Sequence, residues 1–162
     1  MEDSIKIVTK EGKEIELTKK EAELSELLKG AIVDNPNETS FPLNELDEKC
    51  AEKIKEYLDH LNGVAPPEIE KPITSNEMKN LTDEWSANFV DKMTMEELVN
   101  LTVAANYMGI NCLLDLCCAK VASLCKDKSE DDIFKTFNIN ETFTEEEKNK
   151  IKEENKWIDE NL

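Results

Sequence analysis

Residues 93–126 carry very few charges for a chain as polar as this one. They hold five charged side chains in 34 positions, whereas charged residues make up 35% of the 162-residue chain. Within this stretch, the run from Cys112 to Cys125, CLLDLCCAKVASLC, is apolar on almost every side of a helix. A helix of that kind must be covered all round. A domain this small covers one face, so we expect the other face to meet a partner.

Composition and length indicate that this partner is a protein. The apolar run of 14 residues is shorter than the roughly 20 that a membrane-spanning helix needs. With 37 acidic residues, 20 lysines and no arginine, the chain has a net charge of −17. That charge repels nucleic-acid backbones and anionic lipid head groups, so we expect neither nucleic acid nor membrane as a partner. No apolar leader precedes Ser4, which predicts an intracellular protein.

The N-terminal region predicts a β-hairpin followed by a helix. Apolar and polar residues alternate over 5–9 and again over 14–17, around a turn that contains a glycine. Thr18 and Glu21 have the spacing of a capping box, which predicts the start of one helix. The apolar positions of that helix recur at helical spacing at Leu24, Leu27, Leu28 and Ala31.

A third strand and a long helix are predicted next. Residues 41–43 read Phe-Pro-Leu, which favours an edge strand because proline cannot donate a hydrogen bond to a neighbour. Asp47 is expected to cap a helix that ends at Asn62 and Gly63. Residues 64–80 contain three of the five prolines, which predicts a linker or an exposed loop.

Capping signals also locate the next two helices. Thr94 and Glu97 form a second capping box, and Gly109 is expected to end the helix that follows. Asn111 is then expected to cap the apolar helix described above.

The tail from residue 127 to 162 differs in character, with twelve acidic residues and six lysines. It predicts a short helix over 129–136 and, after a third capping box at Thr144 and Glu147, a last helix from Glu145 to about Glu160. The last helix has too few large apolar residues to be stable alone. Trp157 either docks it onto the parent domain or anchors a partner, since tryptophan is enriched among interface hot spots.

Nothing in the sequence predicts catalysis, a cofactor or a metal. The chain has no glycine-rich phosphate loop and no nucleophile-elbow motif. Its single histidine, His60, lies off the apolar stripe of its helix, so we expect an exposed residue without a catalytic role. The cysteine spacing does not fit a zinc site, and the cysteines are interpreted as small buried hydrophobic residues: Cys50, Cys112, Cys117, Cys118 and Cys125.

Two stretches carry a resemblance to a known family. AANYMGINCLLDLCCAKVA, over 104–122, and KTFNINETFTEEEKNKIKEENKWIDEN, over 135–161, resemble the S-phase kinase-associated protein 1 family of SCF ubiquitin ligase adaptors. The resemblance implies an α+β BTB/POZ domain with a small three-stranded sheet over 1–126, followed by F-box-binding helices over 127–162. It also implies a protein without enzymatic activity, present in cytoplasm and nucleus. Such an adaptor joins the N-terminal region of a cullin to F-box substrate receptors for ubiquitin-dependent degradation.

The same resemblance implies two binding surfaces. Asn106 and Tyr107 match the cullin-facing pair of the family. The F-box-facing residues it implies are Leu113, Leu116, Val121, Ile133, Phe137, Asn138, Ile139, Phe143 and Trp157. Leu113, Val121 and Phe137 could equally belong to the core. If Leu113, Leu116 and Val121 instead form an exposed patch, the free protein is expected to form a weak homodimer.

Other functions remain open at this point. Elongin C, a related adaptor, lacks the C-terminal helices that residues 127–162 predict. The main competing function is a self-associating BTB scaffold, or a subunit of an assembly unrelated to ubiquitin. The two are distinguished by whether the chain binds a cullin and F-box proteins or only itself.

Overall fold

A computed structural model describes residues 4–140 and 143–156. Over these residues the chain forms eight α-helices and one three-stranded sheet, which confirms the predicted α+β class. The chain divides into two compact units between Asp127 and Lys128. The assignment of 1–126 and 127–162 as separate domains stays a prediction.

The sheet is mixed, with strand order β2-β1-β3. β1 (Ser4–Val8) and β2 (Glu14–Thr18) form the predicted antiparallel hairpin. β3 (Ser40–Pro42) pairs with β1 in parallel at the edge of the sheet, as Pro42 led us to expect. Alternation along the hairpin puts four apolar side chains in the core: Ile5, Ile7, Ile15 and Leu17.

The single helix predicted after the hairpin is wrong, because the chain makes two. The capping box of Thr18 and Glu21 is present, but it begins a helix of only four residues, α1 (Lys19–Ala22). Ser25 then caps α2 (Glu26–Asp34) by accepting a hydrogen bond from the Leu28 N–H at 3.2 Å. The buried Ser25 hydroxyl also donates to the Met108 carbonyl at 2.6 Å. This contact between distant parts of the chain lies where the predicted helix breaks.

α3 (Glu48–Leu61) has the predicted ends. Asp47 accepts from the Cys50 N–H at 2.8 Å, and Asn62 ends the helix in the left-handed region with a φ of 47°.

The segment that follows is more closely packed than an exposed loop. Residues 64–73, which we call the strap, have no regular structure, and Met78–Asn80 form one 3-10 turn. Two side chains of this segment are buried: Ile69 in the strap is 9% exposed, and Met78 is 2% exposed. The prediction of an exposed loop is therefore wrong at these two positions, because their side chains belong to the core.

Three helices complete the first unit: α4 (Glu84–Asp91), α5 (Met95–Met108) and α6 (Asn111–Cys125). The capping box of Thr94 and Glu97 is present, and Gly109 ends α5 with a φ of 62°. Asn111 does not cap α6 as predicted. The cap position is Ile110, whose side chain is fully buried and makes no capping hydrogen bond.

The hydrophobic core lies in the first unit. Every buried apolar side chain of the described residues falls between Ile5 and Ala119. The second unit contains α7 (Glu130–Thr136) and α8 (Glu145–Glu154), and neither helix buries a residue. The predicted short helix and the capping box of Thr144 and Glu147 are confirmed. The end predicted near Glu160 lies outside the described residues.

Candidate partner-binding surfaces

The outer face of α5 combines a polar pair with exposed valines. The inner face of the helix packs into the core through Leu98, Leu101, Ala104, Ala105 and Met108. On the opposite side, Asn106 is exposed and Tyr107 is half-buried. Val99 and Val103 lie four residues apart on this side and are 49% and 64% exposed. The α5 face, defined by Val99, Val103, Asn106 and Tyr107, is therefore a mixed apolar and polar surface.

Contacts with α2 fix the C-terminal end of α5. The Glu26 N–H donates to the Gly109 carbonyl at 3.2 Å, and Ser25 donates to the Met108 carbonyl. A Cβ on Gly109 would lie 2.9 Å from the Glu26 Cβ, so only glycine fits at this crossing. The α5 face is thus held on a rigid support.

Val99 and Val103 were not among the residues predicted from the sequence. A signal for them was available, because the five core positions of α5 lie on one side of a helical projection. The two valines fall on the other side, where a helix of a monomer usually carries polar residues.

Two residues of the predicted F-box-binding set, Leu113 and Leu116, are not exposed on α6. Leu113 is fully buried and Leu116 is 2% exposed, so neither can form the exposed patch we expected. Both lie on the side of α6 that joins the hydrophobic core. Leu113 and Leu116 therefore do not support the weak homodimer that was predicted from that patch.

The outward side of α6 carries different apolar residues. Leu114 and Val121 are half-buried, as is Cys125, while Cys118 is exposed. We call these four residues the α6 face. Val121 was predicted as part of a binding surface, whereas Leu114 and Cys118 were not. In an all-apolar helix, periodicity cannot show which side meets the core, so the sequence could not separate Leu113 from Leu114.

The second unit exposes several of the predicted residues. Ile133 and Phe137 are half-buried and Asn138 is exposed. Ile139 and Phe143 are 43% and 50% exposed, which is unusual for large apolar side chains. Phe137 is therefore not a core residue. The remaining predicted residue, Trp157, lies outside the described part of the chain.

The turn after α7 presents these apolar side chains. Asn138 has a φ of 53°, a left-handed conformation that asparagine tolerates better than most residues. The Ile139 N–H donates back to the Phe134 carbonyl at 2.8 Å, which closes the turn. The chain therefore reverses directly before Ile139.

The buried cysteines have strongly perturbed thiol groups. Burial raises the pKa of both the Cys50 and Cys117 thiols to about 12, so these cysteines stay protonated as expected of core residues. Cys118 is exposed and departs from the prediction of buried cysteines. Within 4–140 and 143–156, no group of three His, Cys, Asp or Glu side chains could hold a metal ion. No helix of the described residues is long and apolar enough to span a bilayer.

His60 is exposed, as predicted, and has a structural contact on each side. Its ring stacks on Trp85 with 3.9 Å between centroids. Its Nε2 lies 3.7 Å from Oδ1 of Asp83. These contacts connect the end of α3 to the start of α4.

Comparison with known proteins gives consistent matches. A model described as the Skp1 family, dimerisation domain, matches residues 111–158. An S-phase kinase-associated protein 1 homolog of Tetrahymena thermophila is 42% identical over 156 residues, which cover 96% of this chain and 94% of that protein. The E3 ubiquitin ligase complex SCF subunit sconC of Arthroderma benhamiae is 33% identical, over 96% of this chain and 95% of its own. The sconC subunit of Talaromyces marneffei is 34% identical, over 85% and 86%.

Proposed function

This chain belongs to the Skp1 family, and we propose that it is a non-catalytic adaptor subunit of an SCF ubiquitin ligase. Its relatives over nearly the whole length carry the names of Skp1 homologs and SCF subunits. As an adaptor it bridges a cullin scaffold and F-box substrate receptors, so that substrates reach the complex for ubiquitin-dependent degradation. The observation that carries the proposal is the presence of two separate candidate surfaces on different helices, the mixed α5 face and the apolar α6 face.

The α5 face is proposed to bind the cullin. Tyr107 and the two valines offer apolar contact area, and Asn106 offers hydrogen bonds at the same position. Tyrosine is among the residues most often found at the centre of protein interfaces. The rigid support by α2 lowers the ordering cost of binding.

The α6 face and the tail are proposed to bind the F-box. Val121 contributes directly, and Leu113 supports the helix from inside the core. From the second unit we propose Ile133, Phe137, Asn138, Ile139, Phe143 and Trp157. The exposure of Ile139 and Phe143 supports this proposal, because monomers rarely leave large apolar patches bare.

The same exposed residues would also support weak self-association of the free chain. Occupancy of this surface by an F-box protein would then compete with the homodimer. We also propose that the protein is present in the cytoplasm and the nucleus.

A double substitution tests the adaptor function. Asn106→Lys combined with Tyr107→Lys should abolish cullin binding, because two ammonium groups would lose water in a contact without acidic partners. F-box binding should persist. Pull-downs with a purified cullin N-terminal region and with an F-box protein measure both.

Val33→Lys is the matched control, since Val33 is 74% exposed on α2 and should tolerate lysine without effect on either partner. Loss of both partners in the double variant would mean that the pair stabilises the fold. If the unchanged protein binds neither partner, the proposed function is wrong.

A further inference from the structure

A cavity of about 230 Å³ lies beneath the strap, against α3 and the first turns of α6. Its walls include Pro66, Pro67 and Ile69 from the strap, Tyr57 from α3, and Cys112 and Leu116 from α6. We propose that this cavity receives a bulky apolar side chain of the F-box protein. The inference rests on the proposed function and adds an anchor pocket beside the α6 face.

The volume suits a large side chain. An apolar cavity of about 150 Å³ is enough to hold a benzene ring. The walls formed by Pro66, Pro67, Ile69 and Leu116 are apolar, so a ring or a branched aliphatic side chain gains contacts on several sides. A partner side chain that enters the cavity would remove these apolar walls from water, which favours binding.

The cavity and the α6 face are formed by neighbouring residues of the same helix. Asn111 and Asp115 line the cavity and lie on successive turns of α6. Cys118 of the α6 face follows three residues after Asp115, and Leu114 directly precedes it. A partner bound to the α6 face therefore lies beside the cavity.

This arrangement explains how Leu116 can contact an F-box protein although its side chain is buried. The family resemblance implied that Leu116 contacts the F-box, yet its side chain is 2% exposed. As a wall of the cavity, it can touch a partner side chain inserted there without being exposed on the surface.

The cavity also has a polar group with a weak partner. The buried Tyr57 hydroxyl meets the Cys112 thiol, and a thiol is a poor hydrogen-bond partner. Lys71 holds the strap across α6 by donating to both carboxylate oxygens of Asp115 at 2.9 Å. The pocket is thus formed before a partner arrives.

Filling the cavity tests the inference. Cys112→Phe places a ring inside from the α6 side, and Ala65→Phe does so from the strap. Each variant should weaken the binding of a purified F-box protein by about tenfold or more in a calorimetric titration. The melting temperature and cullin binding should stay as in the unchanged protein.

Val33→Phe is the matched control, because it adds the same ring at an exposed position on α2, outside the cavity, and should leave F-box affinity within about threefold. If Cys112→Phe lowers the melting temperature, Ala65→Phe decides the question. Filled variants that bind the F-box protein with unchanged affinity would overturn the inference. If the unchanged protein binds no F-box protein at all, it is the proposed function that fails.

Discussion

Asp83 is a single residue that joins two helices. Its carboxylate accepts from the Ser86 N–H at 3.0 Å at the start of α4, and it lies 3.7 Å from His60 at the end of α3. Burial opposes the charged form, but hydrogen bonds from Ser86 and the neighbouring His60 outweigh it, so the pKa of Asp83 is lowered. The joint is completed by the ring stack of His60 on Trp85.

Asp83→Ala should destabilise the protein by about 1 kcal/mol at neutral pH, because α4 loses its cap. The folded pKa lies below the usual value of 3.8, so the charge stabilises the fold above pH 3.8, and this contribution is lost as the pH falls through the folded pKa. The difference in unfolding free energy between Asp83→Ala and the unchanged protein should therefore be smaller in acid. Urea unfolding at pH 7 and at pH 3 measures this difference.

Asp83→Asn is the control, since it keeps a capping oxygen and removes only the charge. It should retain most of the stability and lose the pH dependence. Equal unfolding midpoints for Asp83→Ala and the unchanged protein at pH 7 would contradict the capping role.

Among the elements, α5 carries both part of the core and the surface that we propose binds the cullin. Its inner side supplies five buried residues, and its outer side leaves Val103 64% exposed. Because the two sides are separate, a substitution on the outer side can change partner binding without changing the fold. This separation is what makes the α5 face testable.

Val103→Glu should weaken cullin binding by about tenfold or more, because a carboxylate would lose its hydration in an apolar contact. Thermal stability and F-box binding should be unchanged. Val33→Glu adds the same charge at another exposed valine and should leave cullin binding intact. A binding titration with a cullin fragment would refute the assignment if both variants bind equally well.

Across the whole molecule, stability and partner binding are divided unequally. The core of the described residues lies in the first unit, while α7 and α8 bury no residue. A helix such as α8, with no buried side chain, contributes little to global stability. The helices α7 and α8 therefore contribute less to folding than the first unit does, which is consistent with the proposed role in F-box binding.

A chain truncated after Asp127 should keep a melting temperature within a few degrees of the full chain, because it retains the core. It should still bind the cullin and lose most F-box affinity. The full chain with Asn106→Lys and Tyr107→Lys is the reverse control, because it should lose cullin binding and keep F-box binding. A truncated chain that fails to fold, seen by circular dichroism, would show that residues 128–162 contribute to the core.

Elements whose signals are local could be predicted from the sequence alone. The hairpin, the edge strand at Pro42 and the capping boxes at Thr94 and Thr144 were all predicted, as was the end of α5 at Gly109. Each depends on hydrogen bonds or backbone angles within a few residues of chain. Asn106 and Tyr107, in contrast, were proposed from the family resemblance and not from a local structural signal.

Other features depend on tertiary contacts and could not be predicted in this way. The helix break at Ser25 coincides with its bond to Met108, which is 83 residues away. The burial of Leu116, and of Leu113 rather than Leu114, depends on which side of an all-apolar helix meets the core. The strap closes a cavity through an ion pair of Lys71 with residue 115, in another part of the chain. These features arise from contacts between distant residues, and local periodicity carries no information about such contacts.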